Sequence, residues 1–401
     1  MFELSEGWGR WRGARPPGMR KASRKAAARV RNILSREAEG EVDALITEKD
    51  FGCLPTGEPA RLFTLAAGDI AVRVSDFGAT LVGIDAPSAT GELADVMLGF
   101  DSVEGYAGDD PACFGCTIGP VANRTAGAEI PLDGETYHLP VNENGANNLH
   151  TDLAHGLHKR LWRVERTDNA EDGAAELVLS CDLEHGEYGL PGNRTVTATY
   201  RVSPANVLTL RYTMTTDYPT FANITNHGYF NLAGNGSGDV LAQRVAIDAN
   251  RFVAIGAGSI PTGELRGVAG TPFDFTEPHE LGERIGADDD QIKAGTGYDH
   301  CFCVDGYKPA AAPRRALTAS DPASGRTMTV SITVPGIQLY TGNWLGDENA
   351  KGGASYAPHA GFAVEPQFYP DCAHHVEWPQ PVCRPGQPFV SEIEYAFTVA
   401  R

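Results

Sequence analysis

With 401 residues, 42% of them hydrophobic and 21% charged, the chain can bury a sizeable core as one large domain or two ordinary ones. A formal charge of −19 argues against a polyanionic partner such as nucleic acid, whose binding needs clustered Lys and Arg to displace counterions. No run of residues approaches the ~20 apolar positions of a membrane span, and a neutral or cationic small molecule is the expected ligand.

The first 36 residues hold ten Lys or Arg against two acids, Glu3 and Glu6, which leaves 23 basic and 50 acidic residues in the remainder. This tail lacks the apolar core of a secretory signal and has no twin-arginine pair. It reads as a disordered or spurious basic extension, assigned to residues 1–50, with a single domain over 51–401.

From about residue 60 onward the apolar period is two. "AELVLSCDL" alternates Leu177, Leu179, Cys181 and Leu183. "RTVTATYRV" alternates Val196, Ala198, Tyr200 and Val202, and "VLTLRYTMTT" alternates Leu208, Leu210, Tyr212 and Met214. Turn material, "YGLPGN" and "SPAN", separates them. "MTVSITV" and "SEIEYAFTV" repeat the pattern near the C-terminus. Forty-six glycines and 26 prolines punctuate these short segments, and "EPHELGERI" is one of few stretches with a helical period. The chain is expected to be all-β, a sandwich or a barrel, without internal repeat or long linker.

Among eight cysteines, Cys113 and Cys116 in "CFGC" have the spacing of redox or zinc sites. A zinc site would need a second pair, and Cys301 and Cys303 are poorly spaced for it. A redox site would need a strand-to-helix context that "PACFGCTIGPVANR" does not offer. The expectation is ordinary reduced thiols of a cytoplasmic protein.

Five stretches concentrate ionisable groups among Gly, Asn and aromatics. They are "GPVANRTAG" with Asn123 and Arg124, "NNLHTD" with His150, "TNHGYFNL" with His227, "GYDHCF" with Asp299, and "AVEPQFYPD" with Glu365. Taken singly, each has an ordinary structural alternative: an ion pair for Arg124, loop histidines for His150 and His227, a turn former in Asp299. Glu365 resists that reading, because it follows the apolar "GFAV" and a buried carboxylate is costly unless paired or used.

Taken together, the blocks are specific. "FGATLVGIDAP", "DVMLGFDSVEGY", "NRTAGAEIPLDGETYHLPVN", "NNLH…GLHKRLW", "NITNHGYFNLAG", "PTGELRGVAGTPFDF", "GYDHCFCV", "IQLYTGNWL" and "GFAVEPQFYPD" follow one another over nearly the whole body. In this the chain resembles the aldose 1-epimerase, or galactose mutarotase, family. The resemblance implies a large antiparallel β-sandwich and an isomerase that interconverts the α and β anomers of a free monosaccharide, without cofactor or metal. It implies His227 as catalytic acid and Glu365 as catalytic base, with Asn123, Arg124, His150 and Asp299 binding sugar hydroxyls. It leaves the sugar unspecified and the oligomeric state open, monomer or weak dimer.

The chemistry explains the residue types. A pyranose is a cyclic hemiacetal, so exchanging anomers requires removing the C1 hydroxyl proton while protonating the ring oxygen. The C1–O5 bond breaks, the aldehyde rotates, and the ring closes on its other face. One base and one acid suffice, and histidine with its unperturbed pKa of about 6.5 suits neutral pH. The asparagines around His227, Asn226 among them, are expected to orient the imidazole without a full charge.

Two departures from the family pattern stand out. Thr151 and Asp152 replace the usual Gly-Gly after the first histidine, and Asp152 is expected to offer an acceptor to the sugar. His155 and His158 in that loop are expected to face solvent. Gly228 stands where Ser or Pro is usual. In "YTGNWL", Tyr340 and Trp344 offer aromatic surfaces for a sugar face, or packing. The alternatives are a glycoside-processing hydrolase using Asp299 and Glu365, a non-catalytic sugar-binding protein on the same scaffold, and a metal site of His227, His300 and Glu365.

Overall fold

The structure, a computed structural model, describes residues 44–108, 110 and 112–400. Its largest element is a nine-stranded antiparallel sheet. In spatial order the strands are Arg163–Asn169, Ala175–Leu183, Arg194–Ser203, Val207–Thr216, Phe389–Val399, Arg326–Ile332, Arg314–Ser320, Arg244–Ile247 and His279–Glu280. The alternation read from the sequence is the physical division of this sheet. Val196, Ala198, Tyr200 and Val202 are all buried, and the residues between them are only half-buried. The turn after Ser203 closes with Asn206 at φ 61°, a left-handed conformation that Asn tolerates. The C-terminal strand Phe389–Val399 lies mid-sheet, joining two halves that are far apart in sequence.

Two further sheets contribute to the same core. One has five strands, Leu45–Cys53, Pro59–Ala67, Ile70–Ser75, Thr80–Pro87 and Leu93–Asp95. The other has six, in the order Tyr229–Phe230, Phe362–Gln367, Gly336–Tyr340, Asp299–Val304, Ala249–Ile255 and Pro261–Gly267. Phe63, Leu65 and Val72 from the first, and Phe302, Ile337, Leu339 and Val364 from the second, join the inward side chains of the large sheet in one apolar cluster. Burying each such side chain favours the fold by about 1.5–3 kcal/mol. The chain is thus all-β with large antiparallel sheets, as its period predicts.

Two details differ from expectation. The first strand begins at Leu45, paired with Ala66, so sheet structure starts ahead of residue 51. The expected basic extension otherwise lies outside the described residues, up to residue 43. The helical period of "EPHELGERI" does not form a helix. The backbone N–H groups of Leu281 and Gly282 donate to Gln243 and Leu241 instead, and His279–Glu280 becomes an edge strand. The helix nearby is Asp290–Gly295, where the Asp289 carboxylate accepts from the N–H groups of Gln291 and Ile292.

The six-stranded sheet positions the site. Alternation sends Val364, Leu339 and His300 into the core and leaves Glu365, Gln338, Tyr340 and Asp299 on the opposite face. Glu365 stands directly across from Gln338, and Asp299 from Tyr340.

Candidate active site

That polar face is the floor of a cavity of about 550 Å³. Asn123, Arg124, His150, His227, Asp299 and Glu365 all line it, so the fold brings these six residues together. Trp344 stands on its rim, 76% exposed, and its backbone N–H donates to the Tyr340 hydroxyl at 3.0 Å. A groove of similar size, about 580 Å³, holds none of these residues. Its cations Lys159, Arg160 and Arg163 are already bonded to protein oxygens.

One wall comes from two short paired strands, Arg124–Thr125 and Asn148–Leu149. Asn123, at φ 62°, and His150, at φ 55°, turn the chain at their ends. Asn123 N–H donates to His150 Nδ1 at 3.1 Å, and its carbonyl accepts from His150 N–H at 3.0 Å. His150 Nδ1 is therefore the unprotonated nitrogen, and the ring carries its proton on Nε2. Burial, with His227 and Arg124 adding to it, holds His150 well below the usual histidine range. The ring is a neutral hydrogen-bond donor.

Arg124 Nε donates to Glu143 at 2.8 Å, and its guanidinium lies 3.7 Å from Asp299. Burial alone would lower its pKa, but Asp299 and Glu143 outweigh that and keep it charged. Gln338 donates to the other Asp299 oxygen at 2.6 Å. Gln338, bonded to Asp299, is a residue that the reading of "IQLYTGNWL" passes over for Tyr340 and Trp344. The available signal was its place two residues before Tyr340, hence on the same face.

His227 is clamped by backbone. Its N–H donates to the Cys116 carbonyl and its carbonyl accepts from Gly115 N–H, both at 2.9 Å. Gly115 has φ 64°, and a Cβ there would lie 2.0 Å from the Leu81 carbonyl oxygen, so only glycine fits. This is the structural use of "CFGC": Cys113 and Cys116 are buried free thiols, and burial pushes both above the usual range. The imidazole sits between the rings of His150 and Tyr229, with centroids at 5.4 and 5.1 Å.

His227 Nε2 lies 3.5 Å from Glu365 Oε1. Burial pulls His227 down to about 4. Burial also pushes Glu365 up to about 8, with Asp299 adding and Arg124 opposing. Burial thus favours the neutral form of both groups, which places the pair's proton on Glu365.

Several expectations are corrected here. The asparagines do not hydrogen-bond the imidazole. Asn226 Nδ2 donates to the Gly115 carbonyl at 2.8 Å, Asn223 bridges the backbone of Phe368, and Asn231 reaches Ala360 and Gly238. They tie strands together around the histidine. Asp152 lies outside the cavity lining, because its carboxylate accepts from the N–H groups of Ala154 and His155 in its own turn. Thr151 takes φ 66° where the family usually has glycine, and its hydroxyl bonds both N–H and carbonyl of Val121. His155 is exposed, but His158 is buried, its Nε2 beside the Leu153 carbonyl. His300 points away from Glu365 into Phe252 and Phe273, so the metal set containing it does not form.

Comparisons with known proteins identify the family. The profile of the family described as Aldose 1-epimerase matches residues 61–396. The aldose 1-epimerase of Escherichia coli is 39% identical over 86% of this chain and 96% of its own. Bovine galactose mutarotase is 36% identical over 88% and 99%. Among solved structures, an aldose epimerase homologue from C. elegans superposes with a TM-score of 0.73 at 28% identity, covering 83% of this chain and 96% of that one. A galactose 1-epimerase from Lactobacillus acidophilus shares the fold with a TM-score of 0.76 at 22% identity, over 90% and 100%. The fold is the galactose mutarotase-like sandwich, and the chain belongs to the aldose 1-epimerase family of isomerases.

Proposed function

We propose that His227 and Glu365 open and reclose the pyranose ring of a free aldose, with D-galactose the first substrate to test because several relatives are named for it. The observation that carries this reading is the 3.5 Å pairing of His227 Nε2 with Glu365 Oε1 inside a cavity lined by polar side chains. In ring opening, the Glu365 carboxylate takes the C1 hydroxyl proton and the protonated His227 gives its own to O5. Glu365 then holds the proton and His227 is neutral. After rotation about C1–C2 the transfers reverse and the other anomer forms.

The free protein rests in the protonation state that goes with the opened sugar, because burial raises Glu365 and lowers His227. The reactive pair, carboxylate with imidazolium, is thus the minor form in the free site. Starting a turnover requires moving the proton from Glu365 to His227, which are adjacent. His150 Nε2–H and the charged Arg124 supply donors for sugar hydroxyls, and Asp299 supplies an acceptor. Asn123 acts by holding His150.

Eight unpaired cysteines fit a cytoplasmic setting. Among the described residues no helix is long and apolar enough to cross a membrane. The test is polarimetry of freshly dissolved α-D-galactose, then α-D-glucose, with the parent chain and Glu365→Gln. Faster equilibration that disappears in the variant supports the assignment. Equal acceleration by the variant refutes the role given to Glu365.

A further inference from the structure

His150, His227 and Glu365 meet at the foot of the cavity, where one nitrogen from each ring and one carboxylate oxygen lie within 4.8 Å of one another. All three residues are buried. His150 Nδ1 is taken by Asn123 N–H, which leaves Nε2 as its free nitrogen. His227 Nε2 and Glu365 Oε1 are 3.5 Å apart. Zinc bonds of about 2.0–2.2 Å set neighbouring donors of a tetrahedron ~3.4 Å apart, so this pair already has the spacing. Glu365 Oε2 is buried and without a hydrogen-bond partner, so the carboxylate has a free oxygen for a ligand.

From this geometry we propose that His150, His227 and Glu365 bind one zinc-class divalent cation, and that the bound metal switches the isomerase off. Two imidazoles and one carboxylate, with a fourth position open to the cavity, form a three-ligand zinc set. Borderline transition ions favour such a set, whereas magnesium and calcium require more oxygen ligands. The nearby Arg124 charge is offset by Glu143 and Asp299. A metal here takes the lone pairs on His227 and Glu365 through which protons would move. The inhibition rests on the acid/base reading above. The binding does not.

The test uses the full chain freed of metal, with Zn²⁺ measured by competition against a chromophoric chelator. Co²⁺ serves as a spectroscopic probe and polarimetry as the activity readout. The variants are His150→Gln and Glu365→Gln, with Cys53→Ser to remove the exposed thiol. Expected are one Zn²⁺ per chain, intense visible Co²⁺ bands typical of four-coordination, and affinity lower by at least about tenfold in either ligand variant. Saturating sugar should weaken Zn²⁺ binding, a result that does not depend on how the variants fold. Activity of the parent should fall in proportion to occupancy and return with EDTA. Binding retained in both ligand variants, or no binding at 100-fold molar excess, overturns the proposal. Site-specific binding that leaves activity intact overturns the inhibition and, with it, the acid/base reading, while the metal site stands.

Discussion

The two faces of the six-stranded sheet are built from the same strands and meet opposite fates. Val364 and Leu339 point into the apolar core, fully buried and without any polar atom. Their neighbours Glu365 and Gln338 are almost as buried, yet lie on the opposite, polar face and keep oxygens without hydrogen-bond partners. One face stabilises the fold. The other carries a standing cost, since a buried polar atom without a partner is unfavourable by about 1–3 kcal/mol. A fold retains such a cost where a ligand is to supply the missing contacts.

Substitutions should separate the faces. On the polar face, Glu365→Gln and His227→Asn should each lower kcat by ~10²–10⁴-fold, the usual range for one acid or base. Far-ultraviolet circular dichroism should be unchanged. On the apolar face, Leu339→Ala should cost about 2–5 kcal/mol in urea unfolding while leaving activity per folded molecule near the parent value. Loss of activity without loss of stability in Leu339→Ala would blur the division.

Acidity sharpens the same contrast. With His227 near 4 and Glu365 near 8, the couple carries one proton between those values, two below and none above. The pH profile of kcat/KM should be bell-shaped, with limbs near those two values, which belong to the pair. The stability signs also follow. Glu365 is raised from 4.5 to about 8, so the unfolded chain loses that proton first and stability falls as pH rises through this window. His227 is lowered from 6.5 to about 4, so stability also falls as pH drops through that range. Glu365→Gln should therefore melt higher than the parent at pH 8 and close to it at pH 4.5. A smaller effect is expected from Asp152→Ala. Loss of its two turn hydrogen bonds should cost about 0.5–1.5 kcal/mol each at most, with kcat/KM for galactose changed by under about twofold.

The strands of the large sheet were legible because each buries one side only, which writes a period of two into the sequence. The cavity residues were legible because His227, Glu365, Arg124 and Asp299 sit in blocks of family type. What escaped involved choices among backbone partners. Nothing in "TNHGYFNL" says that Asn226 bonds the Gly115 carbonyl instead of the imidazole, since an amide serves either. Nor does "LHTD" disclose that Asp152 caps its own turn, which competes with reaching the sugar. "EPHELGERI" has a helical period, but its amides found carbonyls at 241 and 243 first. His158 was misplaced because a loop histidine carries no pattern that reports burial.

The central claim is that one buried proton, shared between His227 and Glu365, exchanges anomers. NMR saturation transfer between the α and β anomeric protons of equilibrated galactose, with parent and Glu365→Gln compared at pH 6, measures that exchange directly. The account predicts exchange far above the uncatalysed rate with the parent and near-background exchange with the variant. Exchange by Glu365→Gln equal to that of the parent would contradict it.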